Sequence, residues 1–200
     1  MTSWSDCNTG DLILVSGDGA FSKIIKEAAG VPFSHMAMVV EGAHIGRVRQ
    51  IYAWEATGRG VGEVPLEKSI NVSHVDFFTR IVNPGAGDVV VRRLGWPSTD
   101  VYLEAVKRFR RHREEVNGRP YEVNKREMLN ACFPWLGPLL VGATEQDLSS
   151  VYCWECVAAA WQAMGILPED KAANSYSIRD FMGNNLPLQQ GITLGPSITI

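Results

Sequence analysis

The chain has 200 residues, of which 46% are apolar and 20% charged, and this composition excludes a disordered, collagen-like or coiled-coil protein. With 19 lysines and arginines against 22 aspartates and glutamates, the net charge is −3, so the charge balance does not point to nucleic acid as a partner. Four cysteines in a chain of this length are too few for a disulfide scaffold.

Strand patterns dominate the first half of the chain. The apolar run at 12–15 predicts a short strand, and the spacing of apolar residues over 20–29 predicts a helix. Two alternating segments on either side of residue 45 predict a β-hairpin with a glycine-containing connection. Further strands are predicted at 74–82 and 89–94.

Helical patterns dominate the second half. A helix capped by Ser98 or Thr99 is predicted to run to about Glu115, and a second helix is predicted over 151–164. The charged segment KRFRRHREE, in the first of these helices, is interpreted as a solvated face because the chain as a whole is acidic. Strands followed by helices predict the α+β class.

We expect residues 1–200 to form a single domain, with its core at about 9–182 and an irregular tail at 183–200. The first residues carry neither the basic segment nor the apolar run of a secretion signal. The longest weakly polar stretch, FPWLGPLLVGA, contains two prolines and is far shorter than the roughly 20 apolar residues that a membrane-spanning helix needs. The sequence therefore predicts a soluble, cytoplasmic protein without a transmembrane segment.

Cys153 lies in the first turns of the second predicted helix, on the same face as the apolar residues Val157 and Ala160. Free backbone N–H groups and the positive end of a helix dipole favour a thiolate at such a position. The same N–H groups can stabilise an oxyanion that forms after nucleophilic attack. The position therefore suits a catalytic nucleophile, and the alternative is a buried structural cysteine.

Cys153 and Cys156 also form a C-x-x-C motif, which allows a redox dithiol or half of a zinc site. A structural zinc site needs about four ligands, and the other cysteines and the histidines offer no second paired motif. We therefore expect no metal. A thioredoxin-like dithiol would follow an early βαβ unit, whereas this pair lies late in the chain. Cys156 is more simply interpreted as a small core residue.

His35 begins the first strand of the predicted hairpin, and Glu55 ends the second. If the hairpin is symmetric about residue 45, the two residues lie directly opposite each other, with Cβ atoms about 5 Å apart. The carboxylate would then fix the tautomer of the imidazole and stabilise its protonated form. A slip of one residue would turn one partner to the other face of the sheet. The alternative is that the two residues merely begin and end strands.

Taken together, these segments resemble the circularly permuted papain-fold hydrolases, the YiiX-like branch of the NlpC-type superfamily, which is related to the lecithin retinol acyltransferase group. GDLILVSGDGAFSKIIKEAAGVPFSHMAMVV resembles the family's opening strand, short helix and Ser-His strand. WEATGRGVGEVPLEK, NGRPYEV, VYCWECVAAAW and SYSIRDFM resemble later family segments and follow one another in the family's order. The likeness covers roughly residues 9–82 and 117–182.

The resemblance implies a permuted papain-like fold, in which an antiparallel sheet packs against helices and the nucleophile lies at a helix N-terminus. Carried over by position, Cys153 is the nucleophile, His35 is the general base and acid, and Glu55 orients His35. Tyr121 and Trp154 are expected to contact the substrate. Trp154 replaces the usual serine, and a bulky ring there would narrow the cleft, change the substrate or accompany a loss of activity.

The sequence therefore predicts a thiol-dependent hydrolase or acyltransferase that cleaves an amide or ester bond through a thioester and needs no cofactor. The resemblance implies a small peptide, a peptidoglycan-type peptide or a lipid acyl chain as the substrate. Two other functions are kept as alternatives. The first is a catalytically inactive binding or structural module with the same fold, and the second is a C-x-x-C redox protein. The oligomeric state is not predicted.

Overall fold

The computed structural model describes residues 6–17, 20–45, 48–57, 60–65, 89–116 and 153–199. Within these ranges the central feature is an antiparallel sheet of six strands, namely β1 (Leu12–Val15), β2 (His35–Ile45), β3 (Val48–Thr57), β4 (Gly60–Pro65), β5 (Val89–Gly95) and β6 (Thr193–Thr199). The strand order is β4-β3-β2-β1-β5-β6. Each strand pairs antiparallel with its neighbours, so the predicted antiparallel sheet is confirmed.

The helices of the same ranges are α1 (Ala20–Ala29), α2 (Thr99–Val116), α3 (Cys153–Ala163) and α4 (Ile178–Met182), and a short 3-10 turn spans Ala173–Ser175. The predicted α+β class is confirmed. Ser98 caps α2, because its hydroxyl accepts a hydrogen bond from the Val101 N–H at 3.3 Å. None of these helices combines the length and the apolar character that crossing a bilayer requires. The strand predicted at 74–82 lies outside the described residues.

One face of the sheet forms the larger part of the core together with α2 and α3. Alternate residues of the strands, such as Met38 and Trp54, point to this face and pack against helix residues such as Phe109 and Trp161. The Trp54 and Phe109 rings meet edge to face, with their centroids 5.4 Å apart. The intervening strand residues form a second apolar cluster on the other face of the sheet.

The Gly10-Asp11 turn, which precedes β1, forms hydrogen bonds with β5 and α3. Gly10 has a φ of +104°, which favours glycine, and its carbonyl accepts a hydrogen bond from the Trp161 indole at 3.0 Å. The buried Asp11 carboxylate accepts the backbone N–H groups of Asn8 and Leu94, both at 2.9 Å. Burial raises the pKa of Asp11, although these two hydrogen bonds act in the opposite direction. The turn thereby holds β1, β5 and α3 together.

The prediction of an irregular tail at 183–200 is wrong, because this segment contains β6, which pairs with β5. Gly195 and Pro196 weaken its strand pattern, but an edge strand tolerates both residues. The buried Arg92 of β5 stabilises the arrangement from within the sheet. Its guanidinium donates hydrogen bonds to the backbone oxygens of Phe181, Gly183 and Gly195 and to the side-chain oxygen of Asn184.

The β2–β3 hairpin differs from its predicted register by two residues. Its connection follows Ile45, and Ile45 pairs with Val48, so the hairpin is not symmetric about residue 45. Between Glu41 and His44 the register is irregular, because β2 has one residue more than β3 there. Beyond this irregularity Val39 pairs with Ala53. The observed pairing of Val39 therefore differs from the predicted pairing by two residues, which is an even number. Residues predicted to share a face of the sheet therefore still share it.

Candidate active site

The first contact of the candidate site joins β2 to β3. His35 is the first residue of β2 and pairs with Val15 of β1. The observed register places Glu55 opposite Ala37, so His35 and Glu55 are diagonal neighbours and not the directly opposed pair that was predicted. The long glutamate side chain spans the diagonal, and its Oε2 lies 2.7 Å from His35 Nε2.

The second contact joins the imidazole to α3. Among the described residues α3 begins at Cys153, and the Cys153 side chain forms a hydrogen bond with His35. Because Nε2 of His35 is engaged by Glu55, Nδ1 is the ring nitrogen left for the sulfur. The structure thus brings sulfur, imidazole and carboxylate into one hydrogen-bonded series, from residues that are far apart in the sequence.

The imidazole of this series is held in its protonated form. Burial alone would lower the pKa of His35, but the negative charge of Cys153 and the hydrogen bond to it, followed by the hydrogen bond and charge of Glu55, raise the pKa to about 10. At neutral pH His35 is therefore an imidazolium that contacts Cys153 on one side and Glu55 on the other. A ring in this state can donate a proton to a departing group.

The three groups of the site differ in exposure. The Cys153 residue and the Glu55 side chain are each only 2% exposed, whereas the His35 side chain is 24% exposed. Of the three groups, the imidazole therefore has the most contact with solvent.

Cys156 is a neighbour of the site that the sequence analysis treated as a core residue. It is buried in the main core, as expected. Burial, and then the negative charges of Cys153, Glu55 and Glu155, raise its pKa well above that of an ordinary thiol. Cys156 is thus a neutral thiol beside the charged series. The C-x-x-C spacing was the sequence signal for this proximity.

The two residues expected to contact the substrate have different outcomes. Tyr121 lies outside the described residues. Trp154 is fully buried in the main core, and its contact with a substrate stays a prediction. Successive helical residues point about 100° apart, so the Trp154 ring and the Cys153 side chain leave the helix in different directions.

The charge state of His35 gives a first testable prediction. We expect its ring to titrate near pH 10 in nitrogen NMR spectra of the native protein. A negative neighbour favours the charged ring, so Cys153→Ala and Glu55→Gln should each lower the pKa of His35. Cys153→Ala should lower it more, because Cys153 contributes more than Glu55. A wild-type midpoint near 6.5, the ordinary value for histidine, would contradict the described contacts.

Comparison with known proteins finds similarity among solved structures. No protein-family model matches the chain, and no curated protein matches it. Among solved structures, the chain is similar to the crystal structure of the metalloprotein yiiX from Escherichia coli O157:H7, DUF1105, with 19% sequence identity and a TM-score of 0.51. The match covers 96% of this chain and 97% of that one. At this identity the likeness shows a shared fold and supports a YiiX-like relationship.

Proposed function

We propose that the protein is a thiol-dependent hydrolase or acyltransferase with a permuted papain-like fold, acting on an amide or ester bond. The observation that carries this proposal is the hydrogen-bonded series from Cys153 through His35 to Glu55, with the His35–Glu55 contact at 2.7 Å. A nucleophile, a base and a group that orients the base are the three parts that covalent acyl transfer needs.

The reaction begins with attack of the Cys153 sulfur on the substrate carbonyl. The negative charge that develops on the carbonyl oxygen is stabilised by the positive, N-terminal end of α3. His35 then donates its Nδ1 proton to the departing nitrogen or oxygen, and a thioester to Cys153 remains. Water or another acceptor attacks the thioester, and the now neutral His35 accepts the proton of that acceptor. The C–S bond then breaks, which releases the acyl product and restores the Cys153 sulfur beside the protonated His35.

Glu55 acts through His35. Its buried carboxylate fixes the ring by accepting a hydrogen bond from Nε2, which leaves Nδ1 directed at the sulfur. It also stabilises the imidazolium and raises the pKa of His35. The ring therefore keeps its proton until the leaving group takes it.

The fold is consistent with this proposal but does not choose the substrate. The YiiX-like relationship fits a permuted papain arrangement, in which histidine precedes glutamate and cysteine in the chain. The resemblance in sequence implies three candidate substrate classes, namely a small peptide, a peptidoglycan-type peptide and a lipid acyl chain. Each of them presents the amide or ester carbonyl that Cys153 would attack.

The YiiX crystal structure is described as that of a metalloprotein, which raises the question of a metal in this chain. In the ranges that the structure describes, no three histidine, cysteine, aspartate or glutamate side chains are grouped to hold a metal ion. Cys153, His35 and Glu55 form hydrogen bonds in series instead. These residues do not fit a metal site, and no step of the proposed reaction runs through one.

A catalytically inactive binding module with the same fold is the second candidate function. The observation in its favour is the burial of Cys153, which at 2% exposure offers a large substrate little open access. The two candidates differ in the reactivity of the Cys153 sulfur, which only the enzyme requires.

Covalent probes test this difference. We expect a peptidyl or an acyl electrophile to modify Cys153 at pH 6, as mapped by mass spectrometry, and His35→Gln to slow the modification about 100-fold through loss of acid–base assistance. Cys7→Ala, which changes a buried cysteine in the other core cluster, should react like the wild type. If no probe of either class modifies Cys153 faster than Cys7, the protein is the binding module.

A further inference from the structure

Two thiols lie in the first turn of α3, and both are buried and reduced. Helix geometry sets the Cα atoms of residues three apart, such as Cys153 and Cys156, at about 5 Å. A disulfide accommodates Cα separations between about 4.4 and 6.8 Å. The Cα separation of the two cysteines is therefore compatible with a disulfide within the first turn of α3.

The two thiols differ in chemical state. Cys153 forms a hydrogen bond with the His35 imidazolium. Burial, together with the charges of Cys153, Glu55 and Glu155, raises the pKa of Cys156 well above that of an ordinary thiol and keeps it protonated. A cysteine paired with a cationic ring and lying near a second, neutral thiol is the arrangement of a peroxide-sensitive cysteine and its resolving cysteine.

Access favours a small uncharged oxidant. Cys153 is 2% exposed, so a bulky oxidant cannot contact its sulfur in the described conformation, and the neighbouring His35 ring is partly exposed. Hydrogen peroxide is scarcely larger than water and carries no charge, so Glu55 and Glu155, which both lie near Cys156, do not repel it.

We propose that Cys153 and Cys156 form a peroxide-sensitive modification site, in which an intrahelical disulfide reversibly blocks the Cys153 sulfur. The consequence for turnover rests on the function proposed above, whereas formation of the disulfide does not. This site goes beyond a dithiol redox function, because Cys153 remains the acyl-transfer nucleophile and Cys156 protects it.

The chemistry balances with hydrogen peroxide as the oxidant. The Cys153 thiolate attacks one peroxide oxygen and the O–O bond breaks, which gives a sulfenic acid and a hydroxide that takes the His35 proton to form water. The Cys156 sulfur then attacks the sulfenic sulfur, and the S–OH bond breaks. The departing hydroxide leaves as water with the Cys156 proton. Two thiols are oxidised, the peroxide is reduced to two water molecules, and an external thiol restores both cysteines.

Peptide mapping tests the site without a substrate. Reduced protein is treated with hydrogen peroxide, the remaining thiols are alkylated, and the unfolded chain is cleaved with chymotrypsin after Trp154, between the two cysteines. We expect the two resulting peptides to stay joined through Cys153 and Cys156, and to separate after reduction.

Matched alanine variants supply the control. Cys156→Ala should accumulate about tenfold more sulfinic acid at Cys153 than the wild type, because nothing resolves the sulfenic acid. Cys7→Ala, a change of the same size in the other core cluster, should behave like the wild type. The proposal is overturned if wild-type Cys153 becomes sulfinic acid as readily as in Cys156→Ala, or if it pairs with Cys7 or Cys132. Failure of the hydrolase proposal would instead appear as disulfide formation in a protein that no acyl probe modifies.

Discussion

Replacing Cys153 with alanine is expected to lower turnover of any amide or ester substrate by at least about 10⁴-fold. The reason is that the proposed reaction forms its covalent bond to the acyl group at this sulfur, and alanine would leave only substrate binding and oxyanion stabilisation. The fold should survive, because the change removes one buried sulfur from the end of a helix. Initial rates give the loss of activity, and circular dichroism spectra check the fold.

The control for this experiment is Cys7→Ala, which makes the same chemical change at a buried cysteine outside the candidate site. It should keep wild-type rates. If Cys153→Ala folds and still turns over substrate at the wild-type rate, acyl transfer through Cys153 is disproved. A folded Cys153→Ala that keeps its ligand affinity, in a protein whose wild type shows no turnover, would identify the binding module.

The second large effect concerns stability. Arg92→Met is expected to lower the free energy of unfolding by about 3–5 kcal/mol, because a buried charged donor with several partners is lost and those partners are left buried. Arg92 is 2% exposed and donates hydrogen bonds of 2.7–3.0 Å to oxygens on the α4 side and on β6. The loss should therefore detach β6 and the end of α4 from β5. Urea denaturation measures the change.

Arg93→Met is the matched control, since it makes the same substitution at the next residue of β5. The Arg93 side chain is 35% exposed, and its Nη2 lies 3.5 Å from a half-exposed Asp6 carboxylate, so solvent weakens this ion pair and its loss should cost about 1 kcal/mol. Equal destabilisation by the two variants would show that Arg92 does not hold the C-terminal segment to the sheet.

Much of the local structure could be predicted because it depends on neighbours in sequence. The amphipathic spacing over 20–29 predicted α1 with its observed bounds. The capping hydroxyl of Ser98 marked the start of α2, and the run at 89–94 marked β5. β6 escaped prediction because its strand conformation comes from pairing with β5 and from Arg92, and neither influence is visible in a segment that contains glycine and proline.

The candidate site shows the same division between local and long-range effects. Its three residue types were recognisable from the sequence, since a cysteine at a helix start, a histidine and a carboxylate suit acyl transfer. The diagonal contact of His35 with Glu55 could not be predicted from the sequence. It depends on the hairpin connection after Ile45 and on the irregularity between Glu41 and His44. Without that irregularity Glu55 would lie opposite Met38, on the other face of the sheet.

The sequence by itself determined which side chains could carry the chemistry, together with the α+β class and the helices and strands whose patterns are local. The tertiary structure alone decided that His35 and Glu55 meet across a diagonal, that the Cys156 thiol is kept neutral by burial and nearby charges, and that Trp154 is in the core. The physical reason is that side-chain direction in a sheet alternates with every residue. A single inserted residue therefore reverses which groups face each other, and that insertion is fixed by pairing between strands.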